Sequence, residues 1–156
     1  MTIRISFRLL LLCAAGSLLL STAAARQAKT KVPPAVQKTV DEQSKGAKIR
    51  GLSKEVEQGK TQYELELTVN GHARDMIIDP SGAILVIEED ITLDSLTPAV
   101  KAEVTKNIGQ AKLLRLESVT KSGTLTSYEA SVSKAGRKSV IEMGADGKLL
   151  PKKKQS

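Results

Sequence analysis

The run Thr61 to Leu85, TQYELELTVNGHARDMIIDPSGAIL, leaves few options for the fold. Tyr63, Leu65, Leu67 and Val69 alternate with Glu64, Glu66 and Thr68, the period-two pattern of an antiparallel strand with one face buried. Asn70-Gly71 follows at once, and a two-residue type I′ turn requires the positive φ that Asn and Gly tolerate. Such a turn sets the register. Val69 must face His72, Leu65 must face Met76, and Tyr63 must face Ile78, so the apolar residues of both strands share a side. Asp79-Pro80-Ser81-Gly82 then reads as a second turn into a further strand from Ile84.

The run Thr126 to Leu150, TSYEASVSKAGRKSVIEMGADGKLL, has nearly the same layout. Tyr128-Glu129 matches Tyr63-Glu64, Gly136 matches Gly71 and Gly147 matches Gly82; Ala130 would face Ile141, and Tyr128 would face Met143. Upstream, Pro34 corresponds to Pro98 and Ala47-Lys48 to Ala111-Lys112. Each half opens with a helix. Val36 and Val40 form a stripe in the first, and Thr97 caps a second whose Val100, Val104 and Ile108 recur on one face before Gly109 ends it. First strands are expected over 47–57 and 112–120. The expectation is an α+β fold of two tandem helix-plus-antiparallel-meander repeats, with the helices packed on one face of the sheet.

The organisation read from the chain is a signal peptide (1–25), a linker (26–31), a first repeat (32–88), an acidic linker (89–95), a second repeat (96–150) and a basic tail (151–156). Arg4 and Arg8 precede an apolar run from Leu9 to Leu20, and Ser21-Thr22-Ala23-Ala24-Ala25 supplies small residues for cleavage before Arg26. Leu12 ahead of Cys13 does not suit lipidation, and the apolar run is too short to span a bilayer. The exported chain is therefore expected in the periplasm or outside the cell, without a stable membrane anchor. The full sequence has 24 basic and 17 acidic residues, a balance of +7; without Arg4 and Arg8 of the signal the balance is +5. Export and the lack of Phe or Trp beyond the signal argue against a nucleic-acid partner.

Chemistry-bearing residues are few. Cys13 lies in the signal and His72 is the single histidine, so no nucleophile–base pair or soft-metal site can be assembled; no enzyme activity, metal or cofactor is expected. Glu88, Glu89, Asp90 and Asp94 lack the spacing of a calcium loop and read as linker. Tyr63 and Tyr128, the two tyrosines, are expected inside. Alternation sends Glu64, Glu66, Asp75, Ile77, Glu129, Lys138, Val140 and Glu142 to the face away from the helices, a polar surface interrupted by apolar points.

With Pro34-Ala35-Val36 and Pro98-Ala99-Val100 opening the helices, the Tyr-Glu pairs at 63–64 and 128–129, and turns ending in Gly82 and Gly147, residues 32–150 resemble the PepSY-like family, whose fold is similar to that of the β-lactamase inhibitory protein. The resemblance implies a secreted bacterial protein that binds, or inhibits, a protein or peptide partner, often a peptidase, through the exposed sheet face. The sparse aromatics depart from a high-affinity interface. A small-ligand or cation sensor using a cleft between the repeats is the alternative.

Overall fold

The computed structural model describes residues 31–151; the expected signal peptide, nearly all of the linker after it and most of the basic tail lie outside them. Helix α1 spans Pro34–Gln43, and the strands β1 (Lys48–Glu57), β2 (Lys60–Val69), β3 (His72–Ile78) and β4 (Ile84–Asp90) follow. A 3-10 turn at Leu93–Ser95 leads to α2 (Pro98–Ile108), then β5 (Lys112–Lys121), β6 (Thr124–Lys134) and β7 (Arg137–Gly144). All seven strands belong to one sheet in the order β1-β2-β3-β4-β5-β6-β7, and every neighbouring pair is antiparallel.

This corrects the expected fold class. The molecule is a single sheet-dominant meander with two short helices, and the two tandem repeats are replaced by one continuous ladder. The joint is β4 against β5, where Val86 to Asp90 pair with Lys121 to Glu117. Glu89 and Asp90, expected in a linker, complete β4. Extended backbone there satisfies its hydrogen bonds through the neighbouring strand instead of through water. After the turn at Gly147, where the layout of the first half would place a further strand, the pairing is a bridge between Met143 and Leu149.

The hairpin registers match those required by the turns: Val69 faces His72, Leu65 faces Met76 and Tyr63 faces Ile78, while Tyr128 faces Met143 and Ala130 faces Ile141. Gln58-Gly59, Asn70-Gly71, Ser122-Gly123 and Ala135-Gly136 all have positive φ at both positions, the type I′ condition. The Thr97 hydroxyl accepts the Val100 amide at 3.4 Å, the expected cap of α2.

Val36 and Val40 of α1 are buried with Tyr63, Leu65, Leu67, Met76 and Ile78. Val104 and Ile108 of α2 are buried with Leu116, Tyr128, Ala130, Val132 and Met143. The β4–β5 register, Ile87 opposite Thr120 and Glu89 opposite Ser118, puts both clusters on the same face of the sheet. The opposite face carries no described helix, and there the candidate residues stand.

Candidate functional site

Alternation and register fix which side chains share the helix-free face. Glu66 on β2 faces Asp75 on β3, which faces Glu88 on β4. One pleat along, Asp90 on β4 faces Glu117 on β5, Glu117 faces Glu129 on β6, and Glu129 faces Glu142 on β7. Two rows of carboxylates therefore cross the sheet. Val119 ends the first row, opposite Glu88, and Val86 stands one pleat beyond that row with Ile77 beside it; Val86 and Val119 are each 1% exposed.

Of the residues expected on this face, Glu64, Glu66, Asp75, Ile77, Glu129 and Glu142 are half-buried, whereas Lys138 and Val140 are exposed. The register brings Glu64 to Ile77 and Glu66 to Asp75, and Glu129 to Glu142. It does not bring Ile77 to Val140, which stands on the outermost strand opposite Ser131. Sequence reasoning assigned Glu88 and Asp90 to a linker and missed Glu117 altogether. These three bridge the two expected groups. The alternation of Glu117 and Val119 with Leu116 and Ser118 was the available signal, but which strand lay beside β5 was not.

Cations sit within the rows. Arg50 stands at a bulge, where the β1–β2 register slips between Ile49 and Gly51; the extra residue redirects its side chain. Its Nε donates to the Leu67 carbonyl at 3.0 Å, and its guanidinium reaches Asp75 Oδ1 at 2.5 Å. Gly51 leaves room for Glu66, whose Cδ would be 3.3 Å from a Cβ at that position. Arg115 donates through Nε to Asp90 and lies 3.1 Å from Glu117 Oε1. One guanidinium thus serves two carboxylates.

The electrostatic outcome follows from that shortage. Burial pushes the Glu117 carboxyl up to about 7, and Glu88, Asp90 and Asp75 reinforce the shift against the pull of Arg115. The nearby cation does not win because it is shared with Asp90, while Glu117 is only 9% exposed. Glu129 is likewise pushed to about 7, first by burial and then by Glu88, Glu142 and Glu117, with Lys121 opposing. Burial raises Glu88 and Asp75 above the usual carboxylate range. The Oε1 oxygen of Glu88 is buried without a hydrogen-bond partner.

Elsewhere the chemistry is structural. Tyr63 and Tyr128 are buried in the two core clusters. His72 is exposed at the start of β3. Among the described residues no group of three or more His, Cys, Asp or Glu is arranged to hold a metal ion, and no helix is long and apolar enough to cross a membrane.

No family model matches the chain, and no curated protein matches it. Solved structures do share the fold. A DUF2874 family protein from Bacteroides ovatus superposes with a TM-score of 0.62 at 19% identity, covering 78% of this chain and 86% of its own. A candidate periplasmic protein from Bacteroides eggerthii gives 0.63 at 18% identity, covering 78% and 87%. A BLIP-like protein from Bacteroides fragilis gives 0.58 at 16% identity, covering 79% and 86%. The chain therefore has a BLIP-like fold, as the resemblance to the inhibitory protein implied; none of these names carries the PepSY-like part of that resemblance.

Proposed function

We propose that this chain is an exported, non-enzymatic binding protein that holds a protein or peptide partner on the helix-free face of its sheet, acting as an inhibitor or modulator of a peptidase. The observation that carries this reading is the composition of that face: rows of carboxylates with the half-buried Ile77 and the 40% exposed Val140 beside them. Apolar points within a polar surround are how modest protein interfaces are built. Export is supported by the signal-like sequence before Arg26 and by the candidate periplasmic neighbour from Bacteroides eggerthii. A binding role is supported by the fold shared with the BLIP-like protein. A non-enzymatic role is supported by the paucity of His and Cys.

The cleft alternative has less support, because the β4–β5 ladder closes the sheet where such a cleft would open. The test is capture from a periplasmic extract with the parent and with Ile77→Asp and Val140→Asp. Val140 is 40% exposed, so its replacement should leave thermal stability unchanged. Weakened capture of an envelope protein, with the fold intact, is the expected result. Equal capture by parent and both variants would send the search for the site to the loops.

A further inference from the structure

The two halves of the meander differ at one edge. Counting from Gly71 and Gly136, residues Ala73, Asp75 and Ile77 of β3 correspond to Lys138, Val140 and Glu142 of β7. In the first half β4 lies along that edge: Glu88 faces Asp75, Val86 faces Ile77, and the Asp90 carboxylate accepts the Ala73 amide at 3.3 Å. On β7 the cover is short. Leu149 bridges Met143 and the Leu150 amide donates to the Glu142 carbonyl at 3.0 Å, but no described strand runs beside Lys138 and Val140.

Antiparallel strands turn the amide and carbonyl of successive residues to alternate sides. Glu142 presents its carbonyl outward to Leu150, so Val140 and Lys138 also turn theirs away from β6. Among the described residues those groups have no backbone partner, and Arg137 to Val140 are exposed. The opposite edge of the sheet, β1, is partly blunted by its bulge at Arg50, which interrupts the ladder an added strand needs.

Charge and packing define what would fit on β7. Lys134 stands opposite Arg137, with Lys138 next along the strand, and no described ion pair reaches any of the three. Like charges opposed across strands cost stability, which carboxylates would relieve. On the helix side Ile141 packs against the α2 core; its counterpart Met76 is faced by Ile87, which packs against the α1 core. The sequence after Leu150, Pro151-Lys152-Lys153-Lys154, has the wrong sign for this edge, whereas β4 ends in Glu88-Glu89-Asp90.

We propose that β7 takes an added strand from a partner protein: an extended acidic segment, antiparallel to β7, with an apolar residue opposite Ile141 and carboxylates opposite Lys138 and Arg137. Main-chain bonds to Lys138 and Val140 supply affinity, and the side chains select the partner. Because this edge is reached through its backbone, it can be filled whether or not the helix-free face holds a partner.

The probe is the peptide Val-Ile-Glu-Glu-Asp-Glu, the β4 sequence from Val86 to Asp90 with a Glu added to meet Arg137, titrated into the exported chain and followed by amide NMR shifts. Shifts should centre on Arg137 to Ile141, and binding should weaken as salt is raised. The Gln and Asn analogue of the peptide, and Arg137→Glu with Lys138→Glu in the protein, should each weaken binding about tenfold. N-methylation of the first Glu, whose amide meets the Val140 carbonyl, should abolish binding; N-methylation of the second, whose amide points away, should not. That comparison leaves the protein unaltered, so a loss cannot come from misfolding. No binding, equal binding of the two N-methylated peptides, or shifts centred elsewhere on the sheet would overturn the inference. Binding seen only after deletion of residues 152–156 would give the edge to this chain's own tail, and a dimer that the peptide dissociates would give it to a second copy; either result overturns it as well.

Discussion

A Cβ added at Gly82 would lie 2.6 Å from the Ala35 carbonyl oxygen of α1, and the residue has φ +87. The contact is built by its turn: Asp79 Oδ1 accepts the Ser81 amide at 2.8 Å and the Ala83 amide at 3.0 Å, and the turn offers the Gly82 carbonyl to the Thr39 hydroxyl at 2.7 Å. Gly147 meets α2 in the same manner, with Asn107 donating to its carbonyl at 2.8 Å. Gly59 has φ +77 and nothing within 4 Å. Gly59→Ala should therefore cost only the left-handed backbone penalty, about 1–2 kcal/mol. Gly82→Ala should cost about 3 kcal/mol or more, since α1 must also move. Chemical denaturation of the two variants checks this, and equal losses would mean that the turn does not anchor the helix. The turn was legible from Asp79-Pro80-Ser81-Gly82, and the inward tyrosines from strand alternation. The helix contact was not legible, because Gly82 and Ala35 meet only after the meander has folded back.

At the scale of the strand, what the sequence disclosed depended on loop length. Two-residue turns impose register, so β2–β3 and β6–β7 could be paired residue by residue. Bulges cannot be read that way. The β5–β6 register slips between Leu113 and Arg115, leaving Leu114 44% exposed while Leu113 packs towards the α2 core, and only partner strands reveal such a slip. The carboxylate rows have a consequence for β5 and β6 that needs no ligand. Glu117 and Glu129 have an ordinary value of 4.5 and stand at about 7 in the folded protein, so between those values the folded chain holds protons that the unfolded chain has released. Their contribution to stability is complete below about 4.5 and is lost as pH rises through about 7. Asp79, held below its ordinary 3.8 by the Ser81 hydroxyl and the amides of its turn, acts oppositely and only in acid, where stability falls as it is protonated. Thermal midpoints should therefore decline from pH of about 5 to about 7, and Glu129→Gln should flatten the decline. A parent midpoint that rises over that interval would contradict the burial assigned to these carboxylates.

For the whole molecule, the question left by the sequence was whether two similar halves make two bodies or one. Two considerations compete. Each helix has its own core cluster, which favours independence. Against it, β4 and β5 share five register pairs, and Val86 and Val119 are buried on the opposite face from the helices, each 1% exposed, at that joint. A strand edge left bare there would present unpaired amides and carbonyls to solvent and to other chains. Each half alone would be about 60 residues, near the lower limit for a stable core, so the joint should decide the outcome. The pairing itself could not be read from sequence, since Ile91 to Ala111, including α2, separates the two strands, and a connection of that length imposes no register. The intact chain should unfold in one cooperative transition, with calorimetric and van't Hoff enthalpies equal. Chains of residues 32–91 and 92–150 should each associate or lack a cooperative melt when alone, and recover one on mixing. Two separate transitions in the intact protein, or a half that melts cooperatively as a monomer, would show that each cluster suffices and that the shared ladder contributes little beyond its hydrogen bonds.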